Sequence, residues 1–160
     1  LMNSREITPE AFSRQIAFNA IPQIDVFMDN DYTKEEMKMV WETQKIMGDE
    51  SILVNATAVR VPVFYGHGEA VHIETRQPID AEAVKQLLRD APGVTLYDTR
   101  ENFPTQVENA SGNDLVHVGR VRNDITHPNG LNMWVVSDNI RKGAATNSVQ
   151  IAEALIRDYL

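Results

Sequence analysis

The sequence predicts an α+β fold built on a mixed, largely antiparallel sheet with helices packed on one face. Three observations lead there. Helix-periodic segments with clear caps are interspersed with short runs rich in β-branched residues. Their order, α, β, α, β, β, β, α, β, β, β, α, does not alternate strictly enough for a doubly wound parallel sheet. The turn sequence His127-Pro128-Asn129-Gly130 between two apolar runs marks an antiparallel hairpin. A chain of 160 residues with a hydrophobic fraction of 42% has the make-up of one globular domain. At that length roughly 70% of the unfolded surface is buried on folding, so no disulfide or structural metal is required.

Each element follows from local signals. Thr8-Pro9-Glu10 reads as a helix start with a cap and a first-turn proline, giving a short helix to about Arg14. Ile16 to Ile21 reads as an apolar strand closed by Pro22. Thr33 and Glu36 have the spacing of a capping box, Met37, Val40 and Trp41 recur at helical spacing and Gly48 is a stop, so a helix is expected over 33–47. Ile52 to Val54, Ala58 to Tyr65 and Glu69 to Thr75 read as strands, with Pro62 marking a bulge or an edge. Asp80 caps a second helix carrying Ala83, Val84, Leu87 and Leu88, ended by Pro92-Gly93. Val94 to Tyr97, Leu115 to Arg122 and Leu131 to Ser137 are further strands. A last helix runs from about Ala144 to Tyr159, with Val149, Ala152, Leu155, Ile156 and Tyr159 on one stripe. No repeat, low-complexity tract or Gly/Ser linker sets a domain boundary.

Composition narrows the function classes. The net charge of −8 leaves no basic field for phosphates, which argues against a nucleic-acid partner and against docking on anionic lipid. No window approaches the roughly 18 apolar residues of a membrane span, and the first residues lack a signal peptide's basic start and apolar run, so the expected compartment is cytoplasmic. With no cysteine, the chain carries no disulfide, thiolate metal site or thiol nucleophile of its own.

The densest ionisable cluster is His67-Gly68-Glu69-Ala70-Val71-His72-Ile73-Glu74. In a strand, His67 and Glu69 face one side while His72 and Glu74 face the other, which sets a metal site aside. His72, His117 and His127 read as structural histidines. His67 lies between Gly66 and Gly68, where the backbone can turn sharply and present a ring to a cleft. Arg60 is seven residues earlier, on the opposite face of an ideal strand unless a bulge near Pro62 or Gly66 intervenes. A guanidinium in a strand more often pairs with a surface carboxylate, so both readings stay open. Glu35 and Lys38 share a helix face, and spacing alone makes them an ordinary surface pair. Neither a dinucleotide fingerprint nor a Walker loop occurs, and Lys142-Gly143-Ala144-Ala145 is at most a weak anion site.

The strings Gln15-Ile16-Ala17-Phe18-Asn19-Ala20-Ile21-Pro22-Gln23-Ile24-Asp25, Glu35-Glu36-Met37-Lys38, Glu42-Thr43-Gln44-Lys45-Ile46, Arg60-Val61-Pro62-Val63 leading to His67, and Trp134-Val135-Val136-Ser137-Asp138-Asn139 with Lys142-Gly143-Ala144-Ala145 resemble bacterial aspartate-semialdehyde dehydrogenase. The blocks occur in that family's order over nearly the whole chain. They cover the family's later part only. Its nucleotide-binding domain and the segment with the catalytic cysteine have no counterpart here.

The resemblance implies a glyceraldehyde-3-phosphate-dehydrogenase-like C-terminal domain over 1–141 that binds substrate and dimerises. Residues 142–160 become a helix that packs on the nucleotide-binding domain. It implies NADPH-dependent conversion of aspartyl phosphate to aspartate semialdehyde through an acyl-thioester, on the route to lysine, threonine and methionine. By the same resemblance His67 is the acid/base, Arg60 clamps the substrate carboxylate, Glu35 holds its amino group, and Lys38 belongs to the phosphate site. Asn147 faces the nicotinamide of NADP, which is bound mostly by the other domain. A homodimer through the sheet is expected, and this chain alone is expected to be inactive. Two alternatives remain: a non-catalytic assembly module of the same fold, and a domain like that of N-acetyl-glutamyl-phosphate reductase, whose amino-blocked substrate would not need Glu35.

Overall fold

The computed structural model describes residues 8–160. They fall into two compact units, one reaching to Pro62 and the other spanning Val63–Leu160.

The first unit is built around α1 (Lys34–Met47). Its start is the expected capping box. Thr33 accepts from the Glu36 N–H at 3.3 Å and the Glu36 carboxylate accepts from the Thr33 N–H at 2.7 Å. Gly48 closes the helix in the left-handed conformation, with φ 64°. The second oxygen of Glu36 accepts from the Ala58 N–H at 2.8 Å, so one buried carboxylate ties the helix start to the returning chain. These backbone donors hold its pKa below the usual value.

Four expected elements of this unit do not form. Residues 10–14 are a series of bends rather than a helix. A helix that short is marginal without a buried face, and residues 8–14 are exposed throughout. The run Ile16 to Ile21 contains a turn at Ala17-Phe18, with Phe18 at φ 57°. Asn19 competes for the backbone there, donating to the Gln15 carbonyl at 2.9 Å and accepting from the Ala20 N–H at 2.9 Å. Among the described residues, Ile52 to Val54 and Ala58 to Tyr65 form no strand pairing except a single antiparallel bridge between Ile21 and Arg60, and the chain bends at Pro62, Phe64 and Tyr65. An apolar run becomes a strand only beside a partner. Leu53 and Phe64 are almost fully exposed, and Pro62 has no N–H to give.

The second unit is the expected mixed sheet, with the order β1-β4-β3-β2 for β1 (His67–Glu74), β2 (Val94–Tyr97), β3 (Val116–Asn123) and β4 (Gly130–Ser137). The β1/β4 and β3/β4 pairings are antiparallel and β2/β3 is parallel. β3 and β4 form the predicted hairpin. Its turn is tied by the Asp124 carboxylate, which accepts from the Thr126 N–H and hydroxyl. His72 Nε2 lies 2.7 Å from the other Asp124 oxygen. A bulge between Gly119 and Arg122 leaves Arg120 at φ 58°.

One face of the sheet carries the apolar core. Val118, Val121 and Leu131 are buried with Ala81 of α2 (Ala81–Asp90), and Val84, Leu88, Met133 and Val135 pack around them. Asp80 caps α2 as expected, accepting from the Ala83 N–H at 2.8 Å. On the other face, residues 104–110 lie against the strands: Pro104 is fully buried, its carbonyl accepts from the Trp134 indole N–H at 2.9 Å, and Gln106–Ala110 form one π-helical turn. That turn arises inside a stretch whose sequence reads only as polar.

The last helix, α3 (Thr146–Tyr159), follows a π-helical turn at Arg141–Ala145. Asp114 anchors its start, taking two hydrogen bonds from Arg141 and one from the Thr146 hydroxyl. Val149, Leu155, Ile156 and Tyr159 are all exposed, as the apolar stripe predicts for a helix without a covering surface. Among the described residues, no helix is long and apolar enough to cross a membrane.

Candidate active site

The residues singled out in the sequence are carried by both units. In the first, the structure brings Glu35 and Lys38 together. They lie one turn apart on α1, with Nζ 3.1 Å from the Glu35 carboxylate, and both remain partly exposed. The hydrogen bond from Lys38 to Glu35 and the attraction of that charge raise the lysine pKa. The pair thus offers a fixed positive and a fixed negative group side by side near the helix start.

Arg60 lies on the chain returning past Ile21. Its backbone is fixed by two 2.9 Å hydrogen bonds with Ile21, and its guanidinium lies over the Phe12 ring, 5.1 Å from the centroid. Stacking on an aromatic face leaves the in-plane N–H groups directed outward. A cavity of about 130 Å³ opens here, lined by Phe12, Ser13, Ile21, Gln23, Asp25 and Arg60. Its size suits a carboxylate-sized group rather than a nucleotide. No local pattern points to Phe12 beneath the arginine, because the contact joins segments 48 residues apart.

His67 opens β1 in the second unit, opposite Ser137 of β4, and is solvent exposed. The segment before it is not a strand, so the face alternation that set Arg60 and His67 on opposite sides does not apply. Gly66 has φ 85°, a conformation other residues rarely adopt, and its N–H donates to the Asn139 side-chain oxygen at 3.2 Å. The sharp turn expected at Gly66 is therefore present. Local spacing does not bring Asn139 to this place, although an Asp-Asn pair directly after a strand is a recognisable turn signal.

The other histidines have structural surroundings. His117 is buried, its Nδ1 lies 3.3 Å from the Tyr97 hydroxyl, and burial lowers its pKa. His127 Nδ1 accepts from the Asn129 N–H at 3.2 Å. Among the described residues no three His, Asp or Glu side chains group closely enough to hold a metal ion. Asn147 is the second residue of α3 and half-buried. Lys142 is engaged by the Gln150 carboxamide at 2.6 Å.

Residues 1–142 match the family model described as the semialdehyde dehydrogenase dimerisation domain. The aspartate-semialdehyde dehydrogenase of Shewanella sp. (strain DB6705) is 66% identical over 159 residues, covering 99% of this chain and 47% of that protein. The crystal structure of aspartate semialdehyde dehydrogenase II complexed with ASA, from Vibrio cholerae, superposes with a TM-score of 0.94 at 65% identity, again covering 99% of this chain and 47% of the other. The Candida albicans aspartate semialdehyde dehydrogenase solved with NADP is more distant, with a TM-score of 0.71 and 29% identity, over 88% of this chain and 45% of that one. The chain spans about half the length of the curated relatives it matches.

Proposed function

This chain belongs to the semialdehyde dehydrogenase dimerisation-domain family, and from that we propose that it is the carboxy-terminal, substrate-binding and dimerising half of an aspartate-semialdehyde dehydrogenase. The reaction is the NADPH-dependent reductive dephosphorylation of L-aspartyl-4-phosphate to L-aspartate 4-semialdehyde with release of phosphate. The likeness to the Vibrio cholerae enzyme complexed with ASA carries this reading. The family match ending at residue 142 supports a substrate domain over 1–141 and a separate role for 142–160 as the helix that packs on the nucleotide-binding domain. It also supports a homodimer formed through this domain.

Within that reading each residue meets the group its chemistry fits. The Arg60 fork takes the substrate carboxylate in a bidentate grip. Glu35 accepts from the substrate ammonium, and Lys38 meets the phosphate. The His67 imidazole holds and returns the proton that moves as the acyl group is reduced. The nucleophilic thiol comes from outside this chain, which has no cysteine.

The cavities at Arg60 and beside Asp124 do not include Asn147, and Lys142 is already paired with Gln150. Asn147 is thus proposed as one contact to a cofactor held mainly elsewhere, and no step is assigned through it. The soluble, cytoplasmic setting of an amino-acid biosynthetic enzyme completes the reading.

Co-expression with a matching amino-terminal half tests it. Phosphate-dependent reduction of NADP by aspartate semialdehyde is expected with native His67 and not with His67→Ala. Equal recovery with both removes His67 from the reaction, and no recovery with either removes the proposed activity.

A further inference from the structure

We propose that Asn139 is a positioning residue for His67, acting through the backbone of Gly66. The proposal rests on the reading of His67 as the acid/base. Three observations place the machinery around one short segment. The Asn139 side-chain oxygen accepts the Gly66 N–H at 3.2 Å, directly before the histidine. Gly66 itself sits at φ 85°, and a Cβ there would lie 3.2 Å from the Ser137 carbonyl and 3.4 Å from Gln106 Cβ. A Cβ at Gly68 would collide with the Gln106 carboxamide and lie 2.8 Å from the Trp134 ring.

The two glycines thus leave one side of the segment bare, and the π-helical turn carrying Gln106 packs directly on it. π-Helical turns interrupt regular structure at a cost and recur at functional sites. By strand alternation the imidazole projects to the opposite side, the side of Val135 and Met133. The clamp therefore fixes the main chain from behind without obstructing the ring. Asn139 is held in turn: its neighbour Asp138 is buried and accepts from the N–H groups of Gly112, Ile140 and Arg141, so the loop after β4 has little freedom. Without the Asn139 acceptor, the Gly66 N–H loses its partner and the entry to β1 can swing. A base displaced by about 1 Å loses roughly a hundredfold in rate.

The experiment uses a chain of the relatives' full length, with the amino-terminal half of the Shewanella protein joined to this sequence. Asn139→Ala is expected to lower kcat roughly 10- to 100-fold with KM for aspartate semialdehyde within about twofold. Asn139→Asp keeps an oxygen for the Gly66 N–H and should retain most of the rate. The loss should stand after rates are normalised to the folded fraction read by circular dichroism, because it passes through the imidazole and not through folding. An unchanged kcat in Asn139→Ala overturns the proposal. So does a loss that disappears on that normalisation, or an unfolded Asn139→Ala whose activity Asn139→Asp does not restore; these assign Asn139 to folding. Full turnover by His67→Ala instead sinks the reading of His67 itself, and this proposal with it. An inactive His67→Ala beside a fully active Asn139→Ala removes this proposal alone.

Discussion

Lys38 Nζ lies 3.1 Å from the Glu35 carboxylate, so two side chains proposed to meet opposite charges on the substrate meet each other when it is absent. The hydrogen bond to Glu35 and its charge raise the Lys38 pKa, and the i,i+3 spacing sets both groups on one face of α1. In the proposed reading, substrate binding exchanges this partly exposed contact for charged hydrogen bonds to the ligand.

Loss of either partner should therefore register in binding more than in folding. Lys38→Ala is expected to raise KM for phosphate by roughly tenfold to a hundredfold, and Glu35→Gln to do the same for aspartate semialdehyde. Exposed pairs contribute little to stability, so the urea midpoints of both variants should stay near that of the parent. Steady-state kinetics of the full-length enzyme, with urea titrations alongside, check both halves of this statement.

Gly119 sits where the sheet and the 104–110 segment touch, and a Cβ there would lie 2.5 Å from Pro104 Cδ. Pro104 is fully buried and its ring cannot swing aside. Gly119→Ala is therefore expected to destabilise the second unit by about 1–3 kcal/mol through overpacking. Denaturant unfolding followed by Trp134 fluorescence reads this directly, since that ring is bonded to the Pro104 carbonyl.

Asp114 links the start of α3 to the sheet unit and carries a pH signature. Hydrogen bonds from Arg141 first, and from Thr146, lower its pKa from 3.8 to about 2. The folded form thus stays ionised where the unfolded chain has already taken a proton. Its contribution is full above pH 3.8 and is lost as the pH falls toward about 2. Between those values the urea midpoint of the parent should fall more steeply than that of Asp114→Asn. Parallel curves would remove Asp114 from the acid response.

The exposed stripe of α3 gives a further outcome. Ile156 is 66% exposed, so Ile156→Glu should leave the unfolding free energy of this chain within about 0.5 kcal/mol. If α3 packs on the nucleotide-binding domain, the same change should cut the activity recovered with the amino-terminal half at least tenfold. Undiminished recovery would count against that packing.

What the sequence determined by itself were the elements whose causes are local. The α1 capping box, the Gly48 stop, the Asp80 cap and the β3/β4 turn all depend on residues within a few positions of one another, and each stands where those residues place it. The proposed site residues were legible only through likeness to a family, because spacing alone made Glu35 and Lys38 an ordinary surface pair and left Arg60 and His67 open. Tertiary structure decided the rest. Ile52 to Val54 and Ala58 to Tyr65 have strand composition but, among the described residues, no strand partner beyond the Ile21–Arg60 bridge, and a strand is a relation between two segments. The Arg60 stack on Phe12, the bond from Gly66 to Asn139 and the π-helical turn over Gly68 join residues 38 to 73 positions apart. Such contacts form when packing brings distant backbone together, and no local pattern encodes them.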